Sequence, residues 1–500
     1  MAFEETTTPR RLQRGVLSVP NGIAMAAAAM APVLAVVLNA PAAGPSAGAA
    51  LPLSFLIAFM ACLFVGNTVV QFSRRMPSAG SFYTFNTQGL GQGAGFFTGW
   101  LFWIGYALLA PGLFCAFGAF VHDYVLLTFH KEVSWTVFSL IAMVVVFGLS
   151  ARSIKASVNI DLTLLALEVV VFLILAVVAV TKAGHGNTGA VFLPTSAPNG
   201  FTGVGLGVVF GILSFIGFDA AATLGEETRN PRRNVPLAVA GALGFVGVFY
   251  VFVMYALAAG YGLNDKARLA TFLKDANPFV TLAKSYTPWL LQPVQIAAIA
   301  GLFSCFLAIH NTTVRIMYSM GRDRVLPAAL GHVHPAWFSP LKAIVAQTVF
   351  TVVVGLAVGG WLGPGATGAY GFTGAIGTVA IVLVYLASNV ALVRFFWRLP
   401  ERRMLTHVVV PALGVLALLY PLYVVSKPGQ SYPYNLVPII VLVWIAAGVA
   451  LFVYYRSTAP EKIAALGSFI ADDALPLDDQ PEALRAARAT SLQEPYEEDR

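Results

Sequence analysis

Apolar residues in this chain fall in long, nearly unbroken runs, not in the alternating or three-and-four spacing of soluble strands and helices. Twelve such runs of about 20 residues, each long enough to cross the hydrocarbon core of a bilayer, cover 17–39, 51–72, 95–127, 133–150, 159–181, 203–225, 235–260, 290–319, 342–362, 370–395, 404–425 and 434–455. The pattern predicts twelve transmembrane helices. Most charged positions fall in the connections. One connection, Tyr261 to Trp289, is long and holds two amphipathic stretches around Ala267–Lys274 and Phe279–Lys284. Both suit the membrane surface, as a lid or as inert interfacial helices.

Composition fits this picture: 58% of residues are apolar and 11% charged, against roughly 25% charged in soluble domains, with a mean hydropathy of +0.77. The net charge of +7 suggests a nucleic-acid partner only until its distribution is mapped. With the N-terminus inside, alternate connections hold 17 Lys or Arg on the cytoplasmic side and 7 on the other. This asymmetry is a topology signal, so no nucleic acid is needed to explain it, and both termini are expected in the cytoplasm of a multi-pass cell-membrane protein. Cys62, Cys115 and Cys305 are the only cysteines and lie far apart in apolar runs, so neither a disulfide framework nor metal-ligand spacing is visible. Residues 1–16 are polar, lack a signal-peptide core and are expected to remain as a cytoplasmic tail. From Arg456 the chain turns acidic, with 10 Asp or Glu against 5 Lys or Arg, and 456–500 is expected to be a disordered tail.

Two runs carry residues that an inert anchor avoids. In the sixth, Gly217 gives up about 1 kcal/mol of helix propensity against alanine, and Asp219 places a carboxyl where insertion costs roughly 2.5–3.5 kcal/mol. Irregular backbone at membrane depth survives only inside protein or beside a watery cavity, so Ile216-Gly217-Phe218-Asp219 is expected to break the helix. In the first run, Ala26 to Ala29 are good helix formers, but Pro32 removes a hydrogen bond and crowds the preceding turn. A second break, or a simple kink, is expected there. Five crossings separate the two, the parity that an inverted repeat of 17–181 on 203–395 requires, with 404–455 as two added spans.

Gly217-Phe218-Asp219 followed by Glu226-Glu227-Thr228-Arg229-Asn230-Pro231 resembles the sixth-span signature of the amino acid–polyamine–organocation permease superfamily. Ser73-Arg74-Arg75-Met76-Pro77 with Ser81-Phe82-Tyr83, and Asn311, Arg315 and Gly321-Arg322-Asp323-Arg324 with Ser339-Pro340, are similar to its second-loop and eighth-span motifs. The likeness covers about residues 15–345. It implies an all-α, leucine-transporter-like fold of five-plus-five inverted repeat plus two C-terminal helices, with a small substrate between broken spans 1 and 6. One departure is the alanine run where relatives carry a glycine-rich break, which leaves the substrate open.

On this basis Ala27, Ala28, Ala29, Met30, Ala31, Ile216, Gly217, Phe218 and Asp219 are candidate substrate contacts. Free N–H groups at a half-helix start suit a carboxylate, and unwound carbonyls and Asp219 suit an ammonium group. Asp219 serves equally well as a cap for N–H groups at the break. Trp103, Tyr106 and Phe215 are candidates to cover the substrate, or packing aromatics. In span 5, Asp161 and Glu168, seven apart, share a helix face. In some relatives a lysine stands near position 168 in place of a sodium ion; here Glu168 is the candidate proton carrier, or a paired structural carboxyl. His310 and Ser304 in span 8 are the other ion-coupling candidates, with protons preferred over sodium and no further cofactor expected. Arg74, Arg75, Glu226 and Glu227 are candidate cytoplasmic gate residues, or topology anchors. His332 and His334 in the next cytoplasmic loop could chelate a metal, but no metal site is expected there.

The expected function is secondary transport of an amino acid, neutral for preference, or a related amine by proton symport. An amino acid/amine exchanger and a polyamine permease stand beside it. A membrane-embedded enzyme or sensor is disfavoured, since no Ser/His/Asp set, metal cluster or soluble domain is visible. The partners expected are the small substrate and membrane lipids; oligomeric state is unspecified.

Overall fold

The computed structural model describes residues 15–466 apart from 79, 153, 276, 366, 428, 431 and 465, and does not describe the side chains at 154–158, 161 and 464. The expected N-terminal tail up to residue 14 and residues 467–500 of the expected acidic tail therefore lie outside the described residues, as does the side chain of Asp161, whereas the first residues of that tail, 456–458 and Pro460–Ala464, are helical and not disordered.

The described chain is mostly helical. It runs α1 (Val19–Met30), α2 (Pro32–Leu34), a π-helical turn at Ala35–Asn39, α3 (Ala40–Ala47), α4 (Leu51–Arg75), α5 (Phe82–Leu90), α6 (Gln92–Phe129), α7 (Trp135–Arg152) and α8 (Ile154–Lys182). It continues with α9 (Gly200–Phe215), α10 (Ala220–Thr223), α11 (Pro231–Tyr261), α12 (Lys266–Phe272), α13 (Pro278–Tyr286), α14 (Leu291–Arg322), α15 (Leu341–Leu362), α16 (Ala369–Trp397), α17 (Val410–Ser426) and α18 (Val437–Thr458). The only β pairing among the described residues is an isolated bridge between Leu17 and Thr228. This is an all-α polytopic membrane protein.

Eleven helical segments among the described residues are long and apolar enough to cross a membrane. The first, Val19–Arg75, has 57 residues; as one α-helix it would reach roughly 85 Å, nearly three times a hydrocarbon core of about 30 Å. It is not one rod. Ala31 (φ 50°) and Gly48 (φ 55°, ψ −131°) both leave the right-handed helix, and α1 and α4 each pack against α11.

Burial sorts the helices. α6 and α16 are mostly enclosed, whereas α15, α17 and α18 expose most of their residues, with outward side chains such as Val353, Leu416 and Leu442. In water such a surface would aggregate; against acyl chains it is at home. Small residues bring the inner helices together. A Cβ at Gly377 would lie 2.7 Å from the Gly105 carbonyl of α6, and one at Gly211 would lie 2.6 Å from Ala58 Cβ of α4. Such close contact is the usual basis of helix association in lipid. In the long connection after α11, α12 and α13 form as short helices, and Asp265 caps α12 by accepting from Ala267 N and Arg268 N.

Candidate binding site between two interrupted helices

The first interruption follows from local chemistry. Pro32 offers no N–H and disfavours right-handed helical backbone at the residue before it. Ala31 accordingly adopts φ 50°, ψ 74°, and α1 ends at Met30. The second lies between Phe215 and Ala220, where Ile216 is extended (φ −59°, ψ 127°) and Gly217 has φ 118°. Only glycine takes that backbone without strain. Glycine is also required sterically, since a Cβ at 217 would sit 2.6 Å from the carbonyl carbon of Ala29 and 2.7 Å from its Cβ. The two interruptions touch.

Three buried side chains hold the junction. The Tyr250 hydroxyl of α11 lies between two main-chain acceptors, the carbonyls of Met30 and Ser214, the latter at 2.9 Å. Cys305 Sγ of α14 reaches the Ala29 carbonyl at 3.7 Å. Asp219 Oδ1 accepts from the hydroxyls of Tyr106 of α6, at 2.9 Å, and Tyr385 of α16, at 3.1 Å, while the N–H groups of Gly217 and Asp219 face the same carboxylate. A fully buried carboxyl needs such donors, and serving it ties α6 and α16 to the break.

Beside the junction is a cavity of about 30 Å³, close to one water's share of the liquid. Ala29, Met30, Ala31, Leu34, Ala35, Leu109, Leu113, Leu213, Ile216 and Ile309 supply most of its wall; Asn39, Ser214, Cys305 and Tyr370 are its polar-bearing side chains. No charged side chain lines it. Asn39 Nδ2 donates to Ser214 Oγ at 2.8 Å, and the Tyr370 hydroxyl to Asn39 Oδ1 at 3.4 Å, which closes the cavity on the side of α3.

Closure on the opposite side is stronger. Arg315 of α14 forks onto Glu227, Nε to Oε2 at 2.9 Å and Nη2 to Oε1 at 3.3 Å, with the two side chains 7% and 2% exposed. Arg322 forks likewise onto Glu226 at 2.9 and 3.0 Å. The main chain adds N–H donation from Val16 and Leu17 to the Glu227 carbonyl and from Arg229 to the Leu17 carbonyl. Nearby, Tyr83 donates to Asp323 Oδ2 at 2.6 Å, so the second-loop and eighth-span motifs are in contact.

The residues singled out in the sequence are thus partly assembled. Ala29, Met30, Ala31 and Ile216 line the cavity, Gly217 abuts Ala29, and Tyr106 holds Asp219. Ala27 and Ala28 are buried within α1. Phe215 stacks on Phe59 and meets Tyr250 edge-on, and Phe218 packs on Tyr385. Trp103 lies apart, in an indole cluster with Trp100 and Trp444. Glu168 is fully buried with a carboxylate oxygen directly over Gly301 of α14; Val33 Cβ lies 3.3 Å from where a Gly301 Cβ would be. Ser304 and His310 are also fully buried on α14. The acids at 226 and 227 do not pair with Arg74 or Arg75: Arg74 is exposed, and Arg75 pairs with Glu401 and covers the Phe396 ring. Sequence reasoning passed over Asn39, Ser214, Tyr250, Tyr370 and Tyr385. Their one signal was a polar tip inside an apolar run, which must find a partner when buried.

Residues 17–451 match the family model described as amino acid permease. The chain belongs to the amino acid permease family. A methylthioribose transporter of Bacillus subtilis (strain 168) is 24% identical over 438 residues, 84% of this chain and 88% of that protein. The branched-chain amino acid permease BcaP of the same organism is 30% identical over 314 residues, 60% of this chain and 65% of BcaP. The low-affinity putrescine importer PlaP of Escherichia coli (strain K12) is 29% identical over 302 residues, 59% of this chain and 64% of PlaP. This permease is therefore a membrane transporter and not an enzyme, and the interrupted helices lie within its matched region.

Proposed function

We propose that this permease takes up a neutral amino acid with an apolar side chain by proton symport, admitting it between the two interruptions by alternating access. The observation that carries this is the cavity wall at the Ala29–Gly217 contact, aliphatic on most sides and without a charged side chain. An ammonium group and a carboxylate of one zwitterion can use backbone groups of the two breaks, whereas a dicationic polyamine would meet no carboxylate in that lining. A cavity of about 30 Å³ is too small for any amino acid, so binding requires the broken helices to separate. Asp219, engaged by two tyrosines, serves to position the break rather than to receive the substrate ammonium.

Val19–Arg75 makes two crossings in this scheme, giving twelve in all, an inverted five-plus-five repeat and cytoplasmic termini. The Glu227–Arg315 and Glu226–Arg322 forks then close the cytoplasmic side, and Asn39, Ser214 and Tyr370 the outer side. Glu168, set where α8 meets α14 beside the first interruption, carries the proton.

Proteoliposome uptake of labelled amino acids and putrescine, under imposed proton or sodium gradients, tests the scheme. Concentrative uptake of a branched or other apolar amino acid driven by an inward proton gradient is expected. Preference for putrescine, or uptake driven by sodium alone, would overturn it, and uptake seen only after internal amino acid loading would make the permease an exchanger. Glu168→Gln is expected to leave exchange intact while abolishing proton-driven accumulation; unaltered accumulation removes Glu168 from the scheme.

A further inference from the structure

Away from the interrupted helices, α16 and α17 leave between them, toward the C-terminal end of α16, a groove of about 660 Å³. Val390, Val393, Val415 and Leu416 form its apolar sides, and Val390 and Leu416 are exposed, which in a membrane span means exposed to acyl chains. At one end Arg394 and Arg398 enter the lining with Trp397 between them. Neither arginine has a carboxylate partner among the described residues, whereas Arg75 and Arg322 do. Arg402 stacks over Trp397, its guanidinium carbon 4.4 Å from the ring centroid, and adds positive charge at the same end.

Asn389 sits at the inner edge of the groove but is fully buried, its Oδ1 accepting from Thr68 at 2.6 Å and its Nδ2 turned to Gly414 of α17, so it closes the groove and offers no donor to it. We propose that this groove is a binding site for one anionic glycerophospholipid, with the phosphate between Arg394 and Arg398 and an acyl chain between α16 and α17. Charge complementarity selects an anionic lipid over a zwitterionic one.

Native mass spectrometry of the full chain in a neutral detergent, after incubation with phosphatidylglycerol or phosphatidylcholine, tests this. One retained phosphatidylglycerol per chain is expected, at least fivefold above phosphatidylcholine. Arg394→Gln with Arg398→Gln is expected to bring the ratio near one, while Arg152→Gln with Arg456→Gln, the same charge removed from other exposed sites, leaves it unchanged. Ala412→Trp, which fills the groove without touching charge, is expected to lower retention of phosphatidylglycerol several-fold, with a thermal unfolding scan confirming that each variant is folded. Equal retention of the two lipids by the unaltered chain, unchanged preference in the double-arginine variant, or a lipid-free dimer broken by Ala412→Trp would overturn the proposal.

Discussion

At the scale of single residues, the most constrained position is Gly217. Its φ of 118° costs about 1–3 kcal/mol in any other residue, and a Cβ there would press on the Ala29 main chain, adding roughly 1–3 kcal/mol of overpacking. Gly217→Ala should therefore lose uptake by more than tenfold even where the protein still reaches the membrane. Gly244→Ala, in mid-α11 with open space around it, should transport normally; equal behaviour of the two would refute the steric account. The tyrosines on Asp219 act as a pair. Tyr385→Phe removes one of two hydroxyl donors, about 1 kcal/mol, and a several-fold drop in uptake is expected. Combining it with Tyr106→Phe strips Oδ1 of both and should cost more than the two single losses added, a coupling that a double-mutant cycle on uptake measures. Gly217, Asp219 and Pro32 were legible in the sequence because each violates what a membrane helix prefers. Tyr385, 166 positions from Asp219, was not, because nothing local says which buried hydroxyl meets which carboxylate.

At the scale of elements, the two closures differ in kind. The side of α3 is shut by neutral hydrogen bonds among Asn39, Ser214 and Tyr370, each worth about 1 kcal/mol net. The other is shut by two arginine forks and a stretch of main-chain pairing. Glu227→Gln leaves the Arg315 guanidinium buried without its counter-charge, a loss of about 3–5 kcal/mol. A marked fall in the thermal unfolding midpoint in detergent is expected, little relieved by salt because the pair is out of reach of screening ions; an unchanged midpoint would show the fork to be energetically idle. The sequence disclosed both acids and both breaks. It singled out Arg74 and Arg75 beside these acids as gate candidates, and in this structure it is α14 that supplies the arginines. Which helix end faces Glu227 depends on packing among α1, α10 and α14, which hydropathy does not encode.

At the scale of the whole molecule, hydropathy alone made the membrane class legible and predicts twelve crossings, whereas Val19–Arg75 runs in the structure as one helical segment with two irregular points. Parity turns this into a measurement. Cys62, Cys115 and Cys305 are all buried, so a membrane-impermeant maleimide should find little background, and single cysteines replacing Thr7, Ser134 and Ser457 report three positions along the path. If Val19–Arg75 crosses twice, three crossings separate Thr7 from Ser134 and nine separate Ser134 from Ser457. Ser134→Cys alone should then label in intact cells, with Thr7→Cys and Ser457→Cys labelling only after permeabilisation. A single crossing would leave Thr7 and Ser134 on the same side, so matched labelling of those two excludes the inverted repeat whichever way the chain is inserted. The charge asymmetry of 17 against 7 predicts the first outcome, since moving the basic connections outward would oppose the bias that orients membrane helices.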